Sequence, residues 1–281
     1  AGLLNALKLA DKEIGKVRVV LLGAGAANST IARIILAAGG SPENMILFDV
    51  NGALSKDRDD IKADPGFYRQ WELCQQTNPK RIKDFAQAMN GADVLIALSK
   101  PGPDTVKPEW IRSMAKKSIV FTCANPVPEI YPYAAKEAGA FIVATGRGDF
   151  PNQVNNSVGF PGILKGALLV RARKVSDEMA IAAAKSLAGF AEKRGIHPDS
   201  IIATMEETDV FPNEAADVAM QAIQDGLARV TMTREEAFAK TAADIKYARD
   251  TVNTLLHEGL ITPPPQQMLQ DALEWAIKQV S

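Results

Sequence analysis

The stretch Val17-Arg18-Val19-Val20-Leu21-Leu22-Gly23-Ala24-Gly25-Ala26-Ala27-Asn28-Ser29 constrains this chain most, because an apolar run breaks into closely spaced glycines and resumes as Ile31-Ala32-Arg33-Ile34-Ile35-Leu36. That order reads as strand, tight turn and helix. Glycine permits such a turn and lets backbone approach a pyrophosphate, whose charge then meets free N–H groups at the helix N-terminus. Gly23, Gly25, Ala26 and Ala27 are therefore candidate dinucleotide-binding residues. A second apolar run, Met45-Ile46-Leu47-Phe48, ends in Asp49, about where a ribose-binding acid belongs. Asn28 occupies the third small position of the glycine fingerprint and is expected to crowd the helix–strand contact. Taken singly, the glycines suit any strand-to-helix turn, and Asp49 suits an ordinary turn before Asn51-Gly52. Together they favour a nucleotide site.

Further apolar runs, Val94 to Leu98, Ile119 to Cys123 and Phe141 to Ala144, alternate with helical segments. Such alternation predicts a Rossmann-type α/β fold: a doubly wound, mostly parallel sheet with helices on both faces. The segment from Asp57 to Arg81 is charged and irregular, and is expected to hold a short helix or excursion. Loops follow the runs at Asp49, at Ser99-Lys100-Pro101-Gly102, at Ala124-Asn125-Pro126-Val127-Pro128-Glu129 and at Thr145-Gly146-Arg147. Ligands of open α/β sheets bind beyond the carboxyl ends of the strands, so these loops should surround one crevice.

The balance of 32 basic against 33 acidic residues gives no nucleic-acid footprint, and no apolar run is long enough to span a bilayer. Cys74 and Cys123 have neither disulfide-framework nor metal-ligand spacing, which suits a reducing, cytoplasmic setting. His197 and His257 lack partners at nucleophile–base or metal-ligand spacing and read as surface residues. Asp59-Asp60, on a charged segment, reads as a solvated face rather than a metal site.

Three blocks resemble the cofactor-binding half of bacterial-type malic enzymes: Ala124 to Glu129, Ala144-Thr145-Gly146-Arg147-Gly148-Asp149-Phe150-Pro151-Asn152-Gln153-Val154-Asn155-Asn156, and Gly159-Phe160-Pro161-Gly162. The opening Ala1-Gly2-Leu3-Leu4-Asn5-Ala6-Leu7 and the glycine turn fit the same family, and the resemblance covers roughly residues 1 to 230. It implies NAD, with NADP as the alternative, and oxidation of malate followed by decarboxylation to pyruvate. Ser99 and Asn155 are then cofactor-binding candidates, while Asn125 and Asn156 orient a substrate carboxylate; an amide does so without adding charge. Local turn formation is the competing reading for these asparagines.

The family's catalytic tyrosine and lysine, and its acidic ligands for Mg or Mn, lie in a preceding domain, so neither catalytic nor metal residues are assigned in this chain. The chain is therefore expected to be a nucleotide-binding portion that lacks its catalytic partner. The alternative is a catalytically inactive nucleotide-binding or assembly module. Residues 1–230 are expected to form the dinucleotide-binding domain and 231–281 a helical C-terminal extension that departs from the family. Its Thr233-Arg234-Glu235-Glu236 start has a capping-box pattern. The apolar face of its last helix, with Met268, Leu269, Leu273 and Trp275, is expected to be covered either by this chain or by another subunit of a homo-oligomer.

Overall fold

The computed structural model describes residues 1–280, with a helix α1 (Gly2–Ala10) leading into a six-stranded sheet. The strands are β1 (Val19–Leu22), β2 (Met45–Asp49), β3 (Gly52–Ala53), β4 (Val94–Ala97), β5 (Ile119–Thr122) and β6 (Ile142–Thr145). Their order across the sheet is β3-β2-β1-β4-β5-β6. All neighbours pair in parallel except β2 and β3, which form a small antiparallel hairpin with Asp49 opposite Gly52. The hairpin strand is a finding the apolar runs did not announce. Two residues are too short to carry a period, and only the Asn51-Gly52 turn marks it.

Helices cover both faces of this sheet, which is why the strands read as continuous apolar runs instead of alternating ones. On one face Val19, Leu21, Leu47, Ile96 and Ile142 pack with Ala6, Leu7 and Ala10 of α1, and with α2 (Ala26–Ala37) through Ala32 and Ile35. The segment after β3 completes that layer as α3 (Asp59–Ala63) and α4 (Tyr68–Gln76), which supply Ile61, Leu73 and Cys74. On the other face Val20, Ile46, Leu95, Val120 and Val143 pack against α5 (Phe85–Met89), α6 (Pro108–Arg112) and α7 (Pro132–Glu137). Adjacent residues of one strand, Val20 and Leu21, thus enter opposite cores, as the two-residue period of a strand requires.

After β6 the chain is helical, with α8 (Asn156–Leu169), α9 (Asp177–Arg194) and α10 (Val210–Gln224) packing through Val170, Met179, Ala183, Ala216, Ala219 and Ala222. Small residues let α8 and α10 approach closely. A β-carbon at Gly166 would lie 2.5 Å from the Ala215 carbonyl oxygen. Asn5 ties α1 to this bundle, its buried amide donating to the carbonyls of Ala188 and Ile201 at 3.0 and 2.9 Å.

Helices α11 (Arg234–His257) and α12 (Gln266–Val280) follow. The start of α11 is a reciprocal capping box: Thr233 Oγ1 accepts the Glu236 N–H at 3.1 Å, and the Glu236 carboxylate accepts the Thr233 N–H at 2.9 Å. Residues 1–238 form one compact unit, and a second begins at Ala239. In the second unit Met268, Leu269, Leu273, Trp275 and Ile277 of α12 are all exposed. Among the described residues no helix is long and apolar enough to cross a membrane.

Candidate functional site

Because β1, β2, β4, β5 and β6 run in parallel, their carboxyl ends share one edge of the sheet. The turn at Gly23, the carboxylate of Asp49, Ser99, Asn125 and the loop leading to Asn155 and Asn156 all follow those ends. Residues up to 133 positions apart in sequence are thereby gathered along one edge. Each crossover returns the chain to the opposite edge, so every parallel strand ends on the same side.

The turn after β1 has the geometry that close phosphate approach requires. Gly23 adopts φ +96°, and a β-carbon there would sit 2.3 Å from the Leu98 carbonyl oxygen. The Gly23 N–H is held by the Phe48 carbonyl at 2.8 Å. Around Gly25, by contrast, a β-carbon would meet nothing within 4 Å, and Gly25, Ala26 and Ala27 are exposed. Gly25 is the N-cap of α2 and has no side chain to occupy the first N–H donors of the helix. Unfilled space beside uncapped N–H donors is the cradle a pyrophosphate fits.

Asn28 does not crowd the helix–strand contact as its size suggested. Its side chain is 1% exposed, and its amide nitrogen donates to the carbonyls of Leu22 and Gly23 at 2.9 Å each and of Ile96 at 3.3 Å. Where the fingerprint has a small residue for contact, this chain fastens the first turn of α2 to the ends of β1 and β4. Its Oδ1 is buried without a hydrogen-bond partner. Gln70 of α4 and Ser29 both donate to the Ala24 carbonyl, at 3.3 and 3.0 Å, and brace the same turn from outside.

Asp49 does not stand free. Its two oxygens accept from Nη1 and Nη2 of Arg58 at 2.9 and 2.7 Å, and Oδ1 also accepts the Asn51 N–H at 2.8 Å. Arg58 simultaneously donates to Asp60, through Nε at 2.8 Å and Nη2 at 2.7 Å. Hydrogen bonds to Asp60 and then Asp49 raise the Arg58 pKa, and the Arg58 guanidinium lowers that of Asp60 to about 2. The residues next to Asp49 in sequence, Val50 and Asn51, are uncharged; the β2–β3 hairpin and the start of α3 bring Arg58 onto its carboxylate.

Of the asparagines, Asn125 and Asn156 are exposed, while Asn155 is engaged locally. Its Oδ1 accepts the Ser157 N–H at 2.9 Å as the cap of α8, and its amide donates to the Gly146 carbonyl at 3.4 Å. Arg147 joins the neighbouring loops by donating to the Pro126 carbonyl at 2.7 Å. Asn152, which sequence reasoning passed over, is buried at φ +58° and bonds the carbonyls of Val143 and Pro198 and the Ile201 N–H. Glu129 was also missed as a site residue. It is fully buried beside Ser99 and Ala124. A lone acid in the apolar setting Val127-Pro128-Glu129-Ile130 was the available signal.

Cys123 lies beside this edge with its thiol pushed up to about 12 by burial, so it is not a nucleophile at neutral pH. Among the described residues no group of three or more His, Cys, Asp or Glu side chains is placed to hold a metal.

Comparison with known proteins accords with this geometry. The family described as the malic enzyme NAD binding domain matches residues 1–224. The crystal structure of Entamoeba histolytica malic enzyme is 60% identical and superposes with a TM-score of 0.95, covering 100% of this chain and 58% of that one. An NAD-dependent malic enzyme of Geobacillus stearothermophilus is 42% identical over 230 residues, 82% of this chain and 46% of its own length. An NADP-dependent malic enzyme of Halomonas elongata is 36% identical over 244 residues, 82% of this chain and 56% of its own. The chain thus spans about half the length of these relatives. The Entamoeba structure covers the whole of this chain, residues 231–281 included. This chain belongs to the malic enzyme family and carries its NAD-binding domain.

Proposed function

We propose that this chain is the dinucleotide-binding part of a malic enzyme that oxidises malate and decarboxylates the product to pyruvate. The observation that carries the reading is the Gly23–Gly25 turn, whose open cradle and uncapped helix lie at the same sheet edge as Asp49, Ser99 and the asparagine loops. In this reading residues 1–230 form the dinucleotide-binding domain and residues 231–281 a helical extension that serves assembly of a homo-oligomer in the cytoplasm. The catalytic tyrosine and lysine, and the acidic ligands for Mg or Mn, belong to the part of the relatives that this chain does not cover.

The bound nicotinamide would supply a hydride acceptor. The chain's own groups bind and orient. N–H groups of Gly25, Ala26 and Ala27 meet the pyrophosphate, Asp49 accepts from the ribose, and Ser99 and Asn155 line the path to the nicotinamide. Asn125 and Asn156 hold the substrate carboxylate and the nicotinamide carboxamide by neutral donors and acceptors. NAD is the preferred cofactor, because two oxygens of Asp49 repel a 2′-phosphate. Arg58, whose guanidinium is shared between Asp49 and Asp60, supports residual NADP binding.

Titration of the purified chain with NAD and NADP tests the reading. Binding of NAD in preference to NADP, without malate turnover by the chain alone, is the expected outcome. Clear NADP preference would refute the cofactor assignment, and efficient malate turnover without a partner would overturn the assignment of catalysis to another part of the protein.

A further inference from the structure

The carboxylate of Glu129 is completely shielded from solvent yet faces no cation among the described residues. Its partners are the backbones of two loops. Oε1 accepts the Ser99 N–H at 2.8 Å and faces the Ser99 hydroxyl at 3.4 Å, while Oε2 accepts the Ala124 N–H at 3.1 Å. Ser99 follows β4, and Ala124 follows β5 and immediately precedes Asn125. The main chain of Glu129 adds a further tie, its carbonyl accepting the Val106 N–H at 2.9 Å. One side chain thus spans the gap between two adjacent strand ends.

Burying a carboxylate without a cation is costly, and an apolar residue would make a cheaper loop core. What the carboxylate alone provides here is two acceptor oxygens pointing at two N–H donors from different loops. A glutamine of the same shape would satisfy one donor and turn its own NH2 against the other. We infer that Glu129 is a positioning residue that locks the Ser99 loop and the Asn125 loop into one frame, fixing the cofactor side of the crevice relative to the substrate side. The inference rests on the proposed dinucleotide site for the identity of the ligand, though not for the existence of the clamp.

Glu129→Gln in the full chain separates positioning from general stability, provided that NAD and ADP-ribose are titrated side by side. ADP-ribose needs the Gly23–Gly25 turn and Asp49, but carries no nicotinamide to sense the clamped loops. The Kd for NAD is expected to rise about tenfold, the size of one lost charge-assisted hydrogen bond, with ADP-ribose affinity nearly unchanged. Equal loss of both ligands, or no loss of either, would overturn the inference.

Amide hydrogen exchange supplies a readout that needs neither the variant nor a ligand. In the unsubstituted chain the Ser99 and Ala124 amides should be protected and open together, whereas independent opening refutes the clamp. If the unsubstituted chain bound neither NAD nor ADP-ribose, the dinucleotide reading would fail, and the exchange result would still decide the role of Glu129.

Discussion

At the scale of single residues, three buried or half-buried polar groups decide more than their neighbours do. Asp49 is one, because the same carboxylate that would accept from a ribose is already gripped by Arg58. Replacing Asp49 by Ser removes the repulsion of a 2′-phosphate and frees the guanidinium to meet it. The ratio of NADP to NAD affinity should therefore rise by about tenfold or more, and paired Kd measurements would show it. A ratio that stayed put would mean that Asp49 does not face the ribose. Glu214 of α10 is the second: it is fully buried, neither oxygen has a hydrogen-bond partner, and its carboxylate fills the space above Gly162, where a β-carbon would lie 2.0 Å away.

Burial pushes the Glu214 pKa up from 4.5 to about 8. The folded chain therefore keeps a proton that the unfolded chain has released. Stability conferred by the neutral acid is whole below the unfolded pKa and is lost as pH rises through about 8, at up to about 1.4 kcal/mol per pH unit between the two values. Glu214→Gln should flatten the fall in melting temperature between about pH 5 and about pH 8, and an unchanged slope would place that proton elsewhere. Asn28 is the third group. It converts a steric conflict into hydrogen bonds to three carbonyls, so size alone was a poor guide to its effect.

At the scale of elements, α8 is where fold and site meet. Its cap Asn155 serves the helix, and the next residue, Asn156, stays exposed. The two members of one Asn-Asn pair therefore predict different phenotypes. Asn155→Ala should cost about 1 kcal/mol of stability as a lost cap, visible in denaturant unfolding. In an intact enzyme containing this domain, Asn156→Ala should leave unfolding nearly unchanged and lower kcat/KM for malate by about tenfold to a hundredfold, the size of one hydrogen bond to a charged group. Reversal of the two phenotypes would reverse the roles. Similar logic applies to Gly166 of α8, where an added β-carbon meets the Ala215 backbone and α10 cannot yield without moving the helix pair.

At the scale of the whole molecule, the first compact unit takes in the start of the C-terminal helices. Ala237 is fully buried and Phe238 packs with it in the cluster formed by α8, α9 and α10, so the first turn of α11 belongs to the first compact unit, which ends at Phe238. Cutting after Val230 would strip that core. Removing residues 258–281 is the cleaner test: it takes away α12, whose apolar side chains are exposed, and leaves α11 in place. The oligomeric state by light scattering should change, with NAD affinity retained, because the candidate site residues all precede α11. Unchanged assembly with lost NAD binding would show the opposite division of labour.

The sequence alone determined the sheet, because five strands buried on both faces must be apolar throughout, and it determined the turn after β1, because only glycine tolerates φ +96° against the Leu98 carbonyl. It also located the strand-end loops, since parallel strands with helical crossovers leave one edge for them. Tertiary structure decided what those loops do to each other. That Arg58 grips Asp49, that Glu129 bridges Ser99 and Ala124, and that Asn28 bonds the ends of β1 and β4 are contacts between residues 5 to 68 positions apart. No local pattern encodes them. Hydrogen bonds depend on where atoms lie within tenths of an ångström, whereas hydrophobic burial depends only on how much surface each residue removes from water, which composition and period already record.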